Sequence, residues 1–197
     1  MLAEVGEEKY NLSFIGGGLL LAESTIVAEQ YLKLSDWGKV EKIVMENNLL
    51  QSRVASTSKR FFSEIRNRLV ELDSVEIEML IDGDDRERRQ LLWIAICRKY
   101  KFVRDFAIEI LNSYYRNFKN EIDVGDYTAF FYEKMESHPE LESLADSTIY
   151  KVRQILFKIL REANLLSKDN MIIPTVVSIR LTNHIGDSEL MVFPATH

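Results

Sequence analysis

The sequence contains little of what a disulfide-bonded, membrane-embedded or low-complexity protein needs. Its one cysteine, Cys97, cannot form an internal disulfide, so the fold does not need an oxidising compartment. Eight glycines and three prolines in 197 residues exclude collagen and low-complexity disorder. The longest charge-free stretch near the start, residues 12–22, has 11 residues, whereas a membrane-spanning helix needs about 20 apolar ones. We therefore expect a cytoplasmic protein with no membrane partner.

Patterns of catalytic residues are also absent from the sequence. The three histidines lie far apart, and no Ser, Cys or carboxylate stands in a recognisable catalytic arrangement. Cys97 lies within an apolar run, which is typical of a buried structural thiol. The glycines at 16–18 lack the Lys-Ser/Thr of a phosphate-binding loop, so a close backbone contact or a flexible helix start is the better interpretation. We expect no enzyme, no metal and no cofactor.

Apolar residues recur every three or four positions along most of the chain, which is the pattern of amphipathic helices. No proline interrupts a helix before Pro139. We predict a mainly α-helical, multi-helix globular protein, and its length suits one large domain or two small ones. Within one compact globule we expect an N-terminal region (1–85), a central helical core (86–122) and a C-terminal region (123–197).

The tail of the chain has a different pattern from the rest. Apolar residues at 171–173 and 190–193 predict two short strands, with a helix over residues 176–185 between them. The polar turn at residues 167–170 lies between apolar residues, so it is compatible with a small β wing.

The net charge of −6 argues against a protein that coats nucleic acid with its whole surface, but the charges are segregated along the chain. Residues 53–72 carry five basic and two acidic residues, and residues 147–161 carry four basic and none acidic. Residues 86–104 carry seven basic residues and one acidic one, and we expect these cations to form structural pairs with Asp82, Asp84 and Asp85. The protein can therefore carry a basic surface despite its negative total.

Two predicted helices combine an apolar stripe with an acid-poor surface on the opposite side. We name the polar side of the helix over residues 54–72 the N-terminal basic face; it consists of Ser56, Lys59, Arg60, Ser63, Arg66 and Asn67. We name the polar side of the helix over residues 147–163 the C-terminal basic face; it consists of Ser147, Tyr150, Lys151, Gln154, Lys158 and Arg161. Cations that meet phosphates, mixed with short hydrogen-bonding side chains, are what a helix in a DNA groove needs.

Each of these helices follows a shorter predicted helix, at residues 37–47 and 140–145 respectively. A short helix, a turn and a longer basic helix follow one another in the order of a helix-turn-helix motif. The sequence therefore predicts two helix-turn-helix-like units, the second of them with the wing described above.

Several short motifs, taken in order, resemble the BrxA family. The sequence is similar at residues 10–14 (YNLSF), 17–24, 46–51 (ENNLLQ), 91–100 (LLW, then Cys-Arg and Tyr), 138–141 (HPEL), 156–163 and 193–194. BrxA proteins are core components of BREX, a bacterial phage-exclusion system that marks host DNA by methylation and blocks phage DNA replication. The resemblance implies an all-helical monomer that binds double-stranded DNA without sequence preference, has other BREX proteins as partners, and carries no catalytic residues.

Three functions are compatible with these features. The first is a non-enzymatic, double-stranded-DNA-binding accessory protein of phage defence. The second is a protein-interaction adaptor whose basic faces contact acidic patches on other subunits, and the third is an RNA-binding helical protein. The sequence shows no aromatic-rich platform for stacking single-stranded bases, which disfavours that class of ligand.

Overall fold

A computed structural model describes residues 9–195, and within that range the protein is mainly α-helical, as predicted. A 3-10 turn (Ser13–Gly16) precedes the helices. The helices are α1 (Leu21–Leu34), α2 (Trp37–Glu46), α3 (Ala55–Leu69), α4 (Ser74–Asp82), α5 (Asp85–Lys99), α6 (Lys101–Phe106), α7 (Ser113–Arg116), α8 (Val124–Ser137), α9 (Pro139–Glu142), α10 (Asp146–Glu162), α11 (Ile179–Thr182) and α12 (Asp187–Leu190). A π-helical segment, Ala107–Asn112, joins α6 to α7.

Aspartates start several of the helices because a short carboxylate can accept hydrogen bonds from the free N–H groups of a first turn. The Asp36 carboxylate caps α2. The Asp73 and Asp123 carboxylates cap α4 and α8, and the Glu76 and Asp126 carboxylates accept a hydrogen bond from the N–H of the capping residue, which completes a capping box. The helix starts are therefore encoded locally, in the sequence itself.

Helix α5 lies at the centre of the core, and all seven of its residues 91–97 are buried. An aromatic cluster lies beside it, in which the Phe106 and Phe130 ring centroids are 5.2 Å apart and nearly perpendicular. Buried residues from α3, α10 and the tail, such as Phe62, Leu156 and Phe193, belong to the same hydrophobic core. The helices of both predicted helix-turn-helix-like units thus pack on one core.

The turn at residues 167–170 forms a small hairpin beside α10. Isolated antiparallel bridges join Leu166 to Ile172 and Glu121 to Met171, and no regular strand occurs within residues 9–195. The Ile172 N–H donates to the Asn120 carbonyl at 2.7 Å, so the hairpin is also tied to the segment before α8. The wing is therefore a hairpin held by isolated bridges, and the strand predicted at 171–173 is reduced to these contacts.

The prediction for the rest of the tail is wrong. Residues 190–193 end α12 and continue as a turn instead of a strand, and the helix predicted over 176–185 is only Ile179–Thr182. The reason lies in long-range hydrogen bonds: Gln90 Nε2 donates to the Val176 carbonyl and Trp93 Nε1 to the Val192 carbonyl, each at 2.9 Å. Side chains of α5 thus satisfy backbone groups that a strand or a helix would otherwise pair.

None of the helices found in residues 9–195 combines the length and the apolar character that crossing a bilayer requires.

Candidate nucleic-acid interface

The structure exposes all six side chains of the N-terminal basic face on α3. Phe62, Ile65 and Leu69 bury the opposite side of the helix. Among the described residues, no carboxylate lies within 4 Å of Lys59 or Arg60, and the Arg60 guanidinium lies 5.6 Å from the Phe61 ring centroid. Within residues 9–195, Lys59 and Arg60 therefore have no carboxylate partner.

Five of the six side chains of the C-terminal basic face are exposed on α10, and Arg161 is the exception. Arg161 Nη2 donates to Asn170 Oδ1 at 2.6 Å, and its guanidinium lies 5.7 Å from the Phe157 ring centroid. Arg161 therefore holds the hairpin against α10, a role that counting charges in the sequence does not reveal. Lys158 is half-exposed, with its Nζ 3.7 Å from Glu162 Oε1.

A pocket of about 330 Å³ lies between α3 and α10, and both Phe61 of α3 and Lys158 of the C-terminal basic face line it. Gly18 lies at its wall, and a Cβ there would overlap the Glu162 carboxylate and come within 2.9 Å of Lys158 Cε. The Leu19 N–H donates to Glu162 Oε2 at 2.6 Å. The close backbone contact predicted for the glycine segment is therefore present. The Leu19 N–H is already bonded to the Glu162 carboxylate of the protein itself.

Arg68, a residue of α3, also bonds the glycine segment. Its side chain is fully buried; Nη1 donates to the Gly18 carbonyl and Nε to Glu64 Oε1, each at 2.7 Å. The Tyr100 hydroxyl also donates to Glu64 Oε1 at 2.7 Å. Because Arg68 belongs to α3 and Glu162 to α10, the glycine segment holds the two basic faces in a fixed relation.

Four of the seven cations of residues 86–104 form ion pairs with described residues: Arg89, Arg98, Lys99 and Lys101. Arg98 bonds Glu76 and Glu189 through four N–O contacts, and these carboxylates, Glu189 first, raise the pKa of Arg98 above its ordinary value. Arg89 pairs with Asp85 at 2.8 Å. Most of the carboxylates that pair with these cations lie far away in the sequence. Of the three partners predicted from the sequence, Asp82, Asp84 and Asp85, only Asp85 forms an ion pair with these cations among the described residues.

One cluster of possible metal ligands occurs in the described part of the chain: Asp73, Glu76 and His184, whose ligand atoms lie within 4.8 Å of one another. Its oxygens already have partners. Both Glu76 oxygens accept from Arg98, while Asp73 caps α4 and its Oδ2 lies 2.8 Å from His184 Nε2. The cluster is thus satisfied without a metal.

Comparison with known proteins decides the family. The BrxA family model matches residues 8–189. The chain belongs to the BrxA family. It is 34% identical to the BREX protein BrxA of Escherichia coli O9:H4 over 149 residues, 76% of this chain and 70% of that protein. It is 24% identical to the BREX protein BrxA of Paramagnetospirillum magneticum over 163 residues, 83% of this chain and 82% of that protein.

The fold of this BrxA-family chain is also found in a solved structure. The crystal structure of an uncharacterized protein from Magnetospirillum magneticum superimposes with a TM-score of 0.80 at 21% identity, covering 95% of this chain and all of that one. The mainly helical fold and membership in the BrxA family are thus established, and the family identified from the sequence motifs is confirmed.

Four aromatic rings meet beside the C-terminal basic face, and the sequence analysis missed them. Tyr127, Phe131 and Tyr132 of α8 and Tyr150 of α10 line a pocket of about 220 Å³. Only Tyr132 and Tyr150 of these four are exposed, so a stacking platform stays a proposal. Three of the rings lie within residues 127–132 of α8, and Tyr150 joins them only where α10 lies beside α8.

Proposed function

We propose that this BrxA-family protein is a non-enzymatic, monomeric accessory component of BREX in the cytoplasm that binds double-stranded DNA without sequence preference. The observation that carries the proposal is that α3 and α10, the two helices with acid-poor basic faces, are both bonded to the glycine segment, through Arg68 and Glu162 respectively. A duplex lying across these two helices would contact both faces at once.

The composition of the faces suits the DNA backbone better than specific bases. Lysine and arginine side chains without carboxylate partners release counterions from DNA when they contact phosphates, and this contribution does not depend on sequence. The serine, asparagine and glutamine side chains between them can bond phosphate oxygens and fix the orientation of the duplex. The acidic remainder of the surface restricts where DNA can dock.

The C-terminal unit resembles a helix-turn-helix more closely than the N-terminal unit does. Residues 143–145 separate α9 from α10, which matches the three- or four-residue turn of the motif. Residues 47–54 separate α2 from α3, a connection of eight residues. We therefore assign α10, with the hairpin at residues 167–170 beside it, to the DNA groove and α3 to the adjoining backbone.

A second candidate function, contact with another BREX protein, is favoured by exposed apolar side chains that belong to neither basic face. Phe118 is 90% exposed, and Ile179 and Val176 are 80% and 73% exposed. Exposed apolar groups of this size are typical of protein contact surfaces when they cluster. Such contacts are compatible with simultaneous DNA binding.

Charge changes on each face test the proposal. We expect Lys59→Glu/Arg60→Glu and Lys151→Glu/Lys158→Gln each to weaken binding to a matched duplex and to flatten its salt dependence, because each neutralised phosphate contributes a slope of about −0.9. Glutamine is used at position 158 because a carboxylate there would face Glu162. Fluorescence anisotropy over about 50–200 mM salt measures both quantities.

The matched control changes two exposed cations that belong to neither basic face. Lys39 and Lys42 of α2 each have a carboxylate at 3.9 Å, so Lys39→Glu/Lys42→Glu makes the same charge change as Lys59→Glu/Arg60→Glu outside the faces. We expect it to affect the affinity for DNA much less. Competition with structured RNA separates DNA binding from RNA binding. Binding of both face variants with wild-type affinity would show that the faces are wrongly assigned.

A further inference from the structure

The aromatic pocket between α8 and α10 has two rings that the fold leaves open to solvent. Tyr132 is 59% exposed and Tyr150 is 52% exposed, whereas Tyr127 and Phe131 are buried and form the floor. The Tyr127 and Phe131 ring centroids are 5.9 Å apart. Two half-exposed tyrosines thus line one cavity and are accessible to a ligand that enters it.

The rim is held in position by neighbouring side chains. Gln154 Nε2 donates to the Tyr150 hydroxyl at 3.0 Å, and the Arg153 guanidinium lies 5.0 Å from the Tyr150 ring centroid. Contacts of this kind fix an aromatic ring before a ligand arrives, so that less conformational freedom is lost on binding. Tyr150 and Gln154 also belong to the C-terminal basic face, which places the pocket at its edge.

The polar groups of the pocket match the edge of a nucleobase and its phosphate. The Asp146 carboxylate is exposed and lines the cavity, and a carboxylate can accept a hydrogen bond from an exocyclic amino group such as that of cytosine. The Arg153 cation also lines the cavity and can contact a phosphate. Planar rings, an acceptor and a cation together are the elements that recognise one nucleotide.

The size of the cavity selects a small planar group. Pockets for drug-sized molecules measure about 300–1,000 Å³, and this one, at about 220 Å³, is smaller. A base inside a duplex cannot reach it, whereas an already unpaired base leaves the helix at the lowest cost. We propose that this pocket binds one unpaired base of the DNA, stacked against Tyr132 and Tyr150, so that the protein prefers duplexes with an extrahelical base. This inference rests on the proposed DNA binding.

The test compares a matched duplex with the same duplex carrying a single bulged 2-aminopurine. We expect wild-type protein to bind the bulged duplex about ten-fold more tightly, as expected for one aromatic–base stack, and the 2-aminopurine fluorescence to fall as the base stacks on the tyrosines. Tyr132→Ala should abolish both the preference and the fluorescence change. Tyr132→Phe should keep both, because the ring and not the hydroxyl stacks.

A control variant removes an exposed ring elsewhere. Phe118→Ala, far more exposed than Tyr132 and not part of the pocket, should keep the preference. Equal affinity of wild-type protein for both duplexes, or a preference that survives in Tyr132→Ala, would overturn the assignment of the pocket. Absence of binding to either duplex would instead contradict the DNA-binding function on which the assignment rests.

Discussion

The buried Arg68, which bonds the glycine segment to α3, gives the sharpest prediction about stability. In Arg68→Met, Glu64 would keep only its bond from the Tyr100 hydroxyl, and the Gly18 carbonyl would lose its donor. Arg68 is fully buried and the Glu64 side chain is 7% exposed, so water cannot replace the guanidinium. Removing one partner of a buried ion pair costs about 3–5 kcal/mol.

Urea denaturation at neutral pH measures this loss, with the slope of the transition as a check that the unfolded states are comparable. A second substitution tests the cause: Glu64→Gln should destabilise the wild-type protein but restore part of the stability of Arg68→Met, because it removes the unpaired buried charge. A loss below about 1 kcal/mol in Arg68→Met, the range of an exposed pair, would refute the reasoning. So would an equal effect of Glu64→Gln in both backgrounds.

Two further predictions concern titratable groups. Although burial opposes it, the Lys119 ammonium and the Tyr114 hydroxyl hold the pKa of Asp126 below its ordinary value of 3.8. A carboxylate whose pKa is lower in the folded state than in the unfolded state stabilises the protein at pH values above the unfolded-state pKa. Asp126→Asn should therefore lower the free energy of unfolding at pH 7, and the difference from wild type should shrink as the pH falls below 3.8. A difference in the free energy of unfolding that does not change with pH would contradict this. Burial raises the pKa of Cys97 well above its ordinary value. The native protein should therefore not react with a thiol reagent at about pH 8, while the urea-unfolded protein reacts fully; rapid labelling of the native state would be the contrary result.

Local patterns predicted most of the helices, because apolar spacing and capping aspartates lie within the segment that they organise. The helix predicted over residues 54–72 is observed as Ala55–Leu69, and the one predicted over 37–47 as Trp37–Glu46. The tail could not be predicted this way. Its backbone partners are Gln90 and Trp93, which lie about a hundred residues earlier in the sequence, and no local pattern encodes them.

The candidate site, like the fold, could be predicted from the sequence only where local patterns encode it. The two acid-poor faces could be found from helical spacing alone, and 11 of their 12 side chains are exposed. Charge counting could not show that Arg161 is bonded to Asn170, or that Arg68 is buried, since a cation looks the same in sequence whether it is free or paired. Tyr132 and Tyr150 belong to separate helices, so only the packing of α8 on α10 reveals the pocket.

The central claim is that the two basic faces form one surface for duplex DNA, and a salt series tests it most directly. The affinity of wild-type protein for a matched duplex should fall linearly on a double-logarithmic plot against salt concentration. Lys59→Glu/Arg60→Glu should reduce the magnitude of the slope by up to about 1.8, for two lost phosphate contacts. The variant that also carries Lys151→Glu and Lys158→Gln should reduce it further. An affinity that does not change with salt, or a slope equal to that of wild type in the combined variant, would contradict the account.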